Sequence, residues 1–87
     1  MKYKVYIVRC ADRTLYTGVT NDLERRLEAH NAGKGAKCLR GKRPVKLVYA
    51  KKYPSLGRAL SAEIKIKKLT RDKKIEMIKS KKAIQTI

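Results

Sequence analysis

Glu63 is the residue whose position most needs a chemical reason. At about 100° per residue, the segment from about Ser55 to Leu69 gathers Leu56, Ala59, Leu60, Ile64 and Ile66 into one apolar arc, with Arg58, Ser61, Lys65 and Lys68 on the solvated side. Glu63 and Lys67 fall inside the apolar arc. A carboxylate there is costly unless it is paired or bound. Two accounts fit. One is an i, i+4 ion pair with Lys67, worth about 0.2–0.5 kcal/mol. The other is a metal ligand where a helix meets the rim of a sheet. A second unusual pair comes earlier. Between about Asp22 and Asn31, Leu23, Arg26, Leu27 and His30 share one arc, while Glu24, Arg25 and Glu28 take the opposite side. A guanidinium and an imidazole therefore lie on or beside the core-facing stripe. Arg26 has a plain alternative in Asp22 at i−4, and a lone helical His is often only structural.

Charge supplies the context. The 87 residues carry 24 Lys+Arg against 7 Asp+Glu, a net +17. Residues 1–32 hold six basic and four acidic residues, and residues 33–87 hold eighteen and three. Such a density attracts polyanions, although its sign alone does not separate DNA from RNA, or binding from cutting. Other classes fall away. No apolar run is long enough to span a bilayer, and the N-terminus does not read as a secretory signal. Two cysteines, Cys10 and Cys38, make no disulfide scaffold, and one His completes no zinc site. The expectation is a reduced, cytoplasmic protein without a membrane partner.

One domain is expected over residues 1–80, with a C-terminal tail at 81–87. The chain is too short for two cores. Tyr3 to Cys10 is β-branched and aromatic and reads as a strand; Ala11-Asp12-Arg13 is a turn; Thr14 to Val19 is a second strand closing a hairpin. Asp22 offers a helix cap. Residues 31–44, with three Gly, one Pro and five basic residues, read as a loop. A third strand follows at 45–50, a helix from Ser55 to about Leu69, and a short helix to about Ile78 after a break at Thr70-Arg71-Asp72. The fold class is α+β: a small three-stranded mixed sheet flanked by helices, with the direction of the third strand open.

This order, with its tyrosines, resembles the GIY-YIG nuclease superfamily, and most closely its small stand-alone bacterial members. Val5-Tyr6-Ile7 stands in place of Gly-Ile-Tyr, with Tyr6 matching the motif's Tyr when the motif is read as Lys4-Val5-Tyr6, and Tyr16-Thr17-Gly18 stands in place of Tyr-Ile-Gly. Arg26, His30 and the late Glu63 continue the pattern, which covers about residues 3–78. Members often carry a further Asn near the end of the domain, and no Asn follows Asn31 here.

The resemblance implies a divalent-metal-dependent endonuclease acting on DNA with weak sequence preference, of the repair and recombination type. Phosphodiester hydrolysis needs an activated water, a cation for the developing charge and donors for the phosphate oxygens. By resemblance Tyr6 deprotonates or aligns the water, helped by nearby positive charge that favours its phenolate. His30 takes or relays the proton, and Tyr16 fixes phosphate or water. Arg26 grips phosphate oxygens with its planar fork. Glu63 holds one Mg²⁺ or Mn²⁺, and Gly18 lets the backbone pass close to the site. Taken singly, Tyr6 and Tyr16 also read as a packed cross-strand pair. Lys34, Lys37, Arg40, Lys42 and Arg43 in the basic loop are the expected nucleic-acid contacts, mainly to backbone. RNA remains a candidate partner, and a targeting protein would suit a module this small. The rival readings are a non-catalytic basic module that binds DNA or RNA, and a structural protein on ribosomal RNA.

Overall fold

The computed structural model describes residues 2–79, apart from the side chain of Cys38. The tail expected at 81–87 lies outside the described residues. The strands are β1 (Tyr3–Arg9), β2 (Leu15–Thr20) and β3 (Lys46–Tyr53), and the helices α1 (Leu23–Asn31), α2 (Leu56–Lys67) and α3 (Arg71–Lys79). A 3₁₀ helix at Lys37–Lys42 interrupts what the sequence reads as plain loop. Its apolar anchor, Leu39, is buried.

The sheet order is β2-β1-β3 and both pairings are antiparallel, so the mixed sheet expected from sequence is corrected. The reason lies in the connection. The chain leaves β2 through α1 and returns on the far side of β1, so β2 and β3 run the same way without being neighbours. Strand β3 also extends three residues beyond the expected 45–50, because Lys51, Lys52 and Tyr53 find backbone partners in Val5, Lys4 and Tyr3.

Central β1 is buried on both faces, from Val5 through Val8. On one face Tyr6, Val8 and Cys10 pack with Leu23 of α1, Leu39, Val45 and Ala50. On the other Val5, Ile7 and Tyr49 pack with Ala59 and Ile66 of α2, and Met77 and Ile78 of α3 close the edge. Helices α1 and α2 start where side chains satisfy the first amides. The Asp22 carboxylate accepts from Arg25 N at 3.2 Å, and Ser55 Oγ accepts from Arg58 N at 3.3 Å. Asp22 is thus the cap of α1, the role its side chain takes here.

The facing of α2 departs from the wheel. Ala59 and Ile66 are buried, whereas Leu56, Leu60 and Ile64 are 43%, 42% and 54% exposed. Small Ala59 and half-buried Ala62 let the helix sit close on β1 and β2 through that flank. The wider leucine flank is left outside. Identity of residue type could not reveal this, since both flanks are apolar.

Asn31 ties the long connection shut. Val45 N donates to Asn31 Oδ1 at 2.7 Å, and Asn31 Nδ2 donates to Val45 O at 3.3 Å. Asn31→Ala leaves both backbone groups of buried Val45 without these partners. The expected cost is about 1–3 kcal/mol, read as a melting-temperature drop of about 4–8 °C for each kcal/mol in a domain this size. An unchanged melting temperature would show that the staple carries no stability.

Candidate active site

Strand β1 turns Tyr6 toward the α1 face, and its cross-strand partner on β2 is Gly18. A Cβ at Gly18 would stand 2.5 Å from the Tyr6 hydroxyl oxygen and 2.7 Å from Cζ. Glycine is needed there for space rather than for backbone freedom, because the buried phenol lies across the strand. Arg26 and His30 stand one turn apart on α1, on the side that meets this phenol. Tyr6 Oη lies 2.8 Å from His30 Nε2, in a buried contact.

The other imidazole nitrogen is also committed. Ala36 N donates to His30 Nδ1 at 3.3 Å. Gly35 packs so closely that a Cβ there would collide with Nδ1. A neutral imidazole whose Nδ1 accepts carries its proton on Nε2. His30 Nε2–H therefore donates to the Tyr6 oxygen. In this tautomer Nε2 donates; the relay expected from sequence requires the other tautomer, in which Nε2 accepts from Tyr6. The Tyr16 ring packs edge-on to His30 at 5.7 Å between centroids, and 6.4 Å from Tyr6.

Electrostatics refine the expected phenolate. Burial pushes the Tyr6 phenol up, and the hydrogen bond and positive charge of Arg26 only partly oppose it. The net direction is upward, so Tyr6 is a neutral phenol at neutral pH. Arg26 in turn is held protonated, first by its hydrogen bond to Tyr6. Burial lowers the His30 pKa from 6.5, and the like charge of Arg26 lowers it further. His30 is therefore neutral at pH 7, which the hydrogen-bond pattern also requires.

A cleft of about 450 Å³ runs along the free edge of β2 and collects Tyr6, Tyr16, Gly18, Arg26 and Glu63 among its lining residues. Glu63 reaches it from α2, which packs on the opposite face of the sheet, so each face supplies one wall. Only 17% of the Glu63 side chain is exposed, and its Oε2 lies 3.6 Å from Lys67 Nζ. The ion pair expected as the plain account is present. It does not exclude the other account, because the carboxylate still lines the cleft. His30 sits behind Tyr6 and does not line it.

The basic loop divides. Lys34, Lys37 and Arg40 are exposed. Lys42 Nζ instead lies 3.6 Å from Asp12 Oδ2 and donates to Thr14 Oγ1 at 3.3 Å. Arg43 Nε donates to Arg40 O at 2.9 Å, and its Nη1 donates to Asn31 O at 3.4 Å. These two side chains brace the connection as well as adding charge. Sequence reasoning missed Tyr3, Asn21, Leu56 and Leu60 at the cleft, and Gly35 with the Ala36 amide behind His30. The Gly33-Lys34-Gly35 spacing was the available signal for the last.

The GIY-YIG catalytic domain family matches residues 2–76. The chain belongs to the GIY-YIG family. A UPF0213 protein of Clostridium perfringens is 54% identical over 77 residues, covering 88% of this chain and 83% of that one. A UPF0213 protein of Haloquadratum walsbyi is 52% identical over 73 residues, covering 84% and 82%. The fold is likewise similar to solved structures. The solution structure of a UPF0213 protein from Bacillus halodurans superposes with a TM-score of 0.59 at 42% identity, covering 90% of this chain and 83% of that one. A second solution structure, of a protein from E. faecalis, gives 0.64 at 40% identity, covering 91% and 84%. GIY-YIG domains form a nuclease family, and a nucleic acid is the substrate class such a domain implies.

Two measurements check the geometry. Because His30 is depressed from 6.5, its contribution to stability is present above about pH 6.5 and is lost as pH falls through its folded pKa. It is the one His in the chain, and carboxylates titrate lower, near about 4. Wild type should therefore melt at a lower temperature at pH 5.5 than at pH 7.5, and His30→Gln should flatten that difference. A His30→Gln variant with the same pH slope would assign the effect elsewhere. Gly18→Ala should cost about 1–3 kcal/mol through overpacking. The cost should shrink in a Tyr6→Ala background, where the colliding ring is gone; equal costs in both backgrounds would refute the close approach.

Proposed function

We propose that this protein is a divalent-metal-dependent endonuclease that hydrolyses phosphodiester bonds in DNA, with recognition mainly of the backbone. The observation that carries the reading is the meeting of Tyr6, Tyr16, Arg26 and Glu63 around one open cleft, with His30 bonded behind Tyr6. Arg26 grips a non-bridging phosphate oxygen. Tyr16 steadies the phosphate or the attacking water from the other side. Tyr6 receives a hydrogen bond from His30 Nε2–H and interacts with Arg26. Its own O–H is then turned toward the cleft, where it aligns the water. As a neutral phenol it aligns the water; it can act as a base only after releasing its own proton to solvent, which further positive charge at the cleft would favour.

The donor set suits one Mg²⁺ or Mn²⁺. Among the described residues no group of three or more His, Cys, Asp or Glu is placed to form a protein cage. A single half-buried carboxylate beside an open cleft is the arrangement Mg²⁺ accepts, since it keeps several waters and takes phosphate oxygens as ligands. Glu63 would hold the ion, in exchange for its contact with Lys67. The ion would supply charge neutralisation on the phosphate.

Lys34, Lys37 and Arg40 supply long-range attraction, with Lys42 and Arg43 adding charge from braced positions. None of the described helices is long and apolar enough to cross a membrane. A non-catalytic nucleic-acid-binding module is the second reading, favoured by the net +17.

Purified protein with plasmid and Mg²⁺ or Mn²⁺ decides between them. Arg26→Ala and Glu63→Ala should each slow cleavage by about 10²–10³-fold, the range for losing one transition-state donor. Arg26→Ala should leave affinity for uncut DNA within about threefold, since one phosphate contact is a small part of the electrostatic total. Cleavage that persists unchanged in both variants would place the chemistry elsewhere.

A further inference from the structure

Among the described residues, the large apolar side chains left exposed lie on one flank of α2. Leu56, Leu60 and Ile64 are 43%, 42% and 54% exposed and recur every four residues, so they form a stripe along one side of the helix. Eight residues at 1.5 Å rise span about 12 Å, roughly three nucleotides at the ~3.4 Å stacking repeat. The stripe does not stand alone. Leu56 and Leu60 are also walls of the cleft that holds Arg26 and Glu63, together with half-buried Tyr3. On the wheel Lys67 falls within the stripe, and its side chain is 53% exposed; exposed Lys68 follows beyond Ile64.

Apolar side chains beside a phosphate-gripping arginine gain nothing from a phosphate or from a regular duplex. A duplex hides its base faces in the stack and presents charged backbone and polar groove edges. An unpaired strand offers what the stripe lacks a partner for: flat base faces alternating with phosphates. The apolar positions match the bases, and Lys67 and Lys68 match the charge. We infer that the Leu56–Leu60–Ile64 stripe, with Tyr3, is a base-facing platform for an unpaired DNA strand entering the cleft. The inference rests on the nucleolytic reading of that cleft and narrows its substrate class to single-stranded or locally unpaired DNA. The charge balance around the stripe favours a polyanion over a second copy of this chain, which would bring +17 against +17.

The test is equilibrium binding, followed by fluorescence anisotropy without divalent ions so that no cleavage intervenes. The probes are a short labelled single strand of mixed sequence and its duplex. Wild type should bind the single strand more tightly at equal salt. Leu56→Ser with Leu60→Ser should weaken single-strand binding about tenfold, in line with the loss of buried apolar area. Duplex affinity should stay within about twofold and the salt slope should be unchanged. Leu60→Tyr, which widens the platform, should tighten single-strand binding and serves if the double variant proves unstable. Equal weakening on both probes, or no weakening on either, overturns the proposal. So does a change in oligomeric state of the double variant by light scattering, which would make the stripe a contact between copies, or displacement of the single strand by anionic vesicles. Arg26-dependent cleavage together with single-strand binding that the stripe substitutions leave unchanged sinks this inference alone. Wild-type protein that binds neither probe sinks the nucleolytic reading as well.

Discussion

A buried phenol hydroxyl needs partners, and the Tyr6 hydroxyl draws the site together around that need. It lies on the most buried strand of the sheet, where an unsatisfied polar atom would cost about 1–3 kcal/mol. His30 meets the requirement from α1 at 2.8 Å, and Arg26 approaches from one turn earlier. Gly18 concedes the volume that the ring occupies. His30 is then fixed from behind by the Ala36 amide and by the close pass of Gly35. Sheet, first helix and long connection are thus tied through one hydroxyl. The ties also set its chemistry: donors on two sides leave the phenol proton free to face the cleft.

This arrangement is in tension with the phenolate chemistry the family pattern invites. Burial orders Tyr6 and at the same time disfavours its charged form, and Arg26 offsets only part of that. The same desolvation keeps His30 neutral, so that it donates rather than repels. The resting site is therefore organised but uncharged at its aromatic centre, with its formal charges on Arg26 and Glu63 across the cleft. The net +17 of the chain favours the approach of a polyanion.

Much of the architecture was legible. Alternation and β-branching placed the hairpin, Asp22 and Ser55 marked two helix starts, and the break at Thr70 separated α2 from α3. Arg26 and His30 were recognisable because their four-residue spacing put them beside the core stripe, and Glu63 because it sat among apolar neighbours. Helix α2 faces only in part as its wheel predicts: of the single arc of Leu56, Ala59, Leu60, Ile64 and Ile66, only Ala59 and Ile66 are buried. Packing chose the smaller flank, since alanines allow close contact with β1 and β2. The 3₁₀ helix escaped notice because a Gly- and Lys-rich stretch carries no period, and only burial of Leu39 reveals why it folds.

What the residues alone determined is the inventory and its local placement: a +17 chain, two tyrosines on a hairpin, a cationic pair on one helix face and a carboxylate on another. These follow from short-range rules, the period of two in strands and 3.6 in helices. Which groups face one another was decided only by the tertiary structure. The strand order β2-β1-β3, the tautomer of His30, the gap that Gly18 leaves and the wall that α2 adds to the cleft all depend on contacts between distant segments. Such contacts are settled by volume and by the pairing of buried polar atoms, and neither is written in the spacing of residues along the chain.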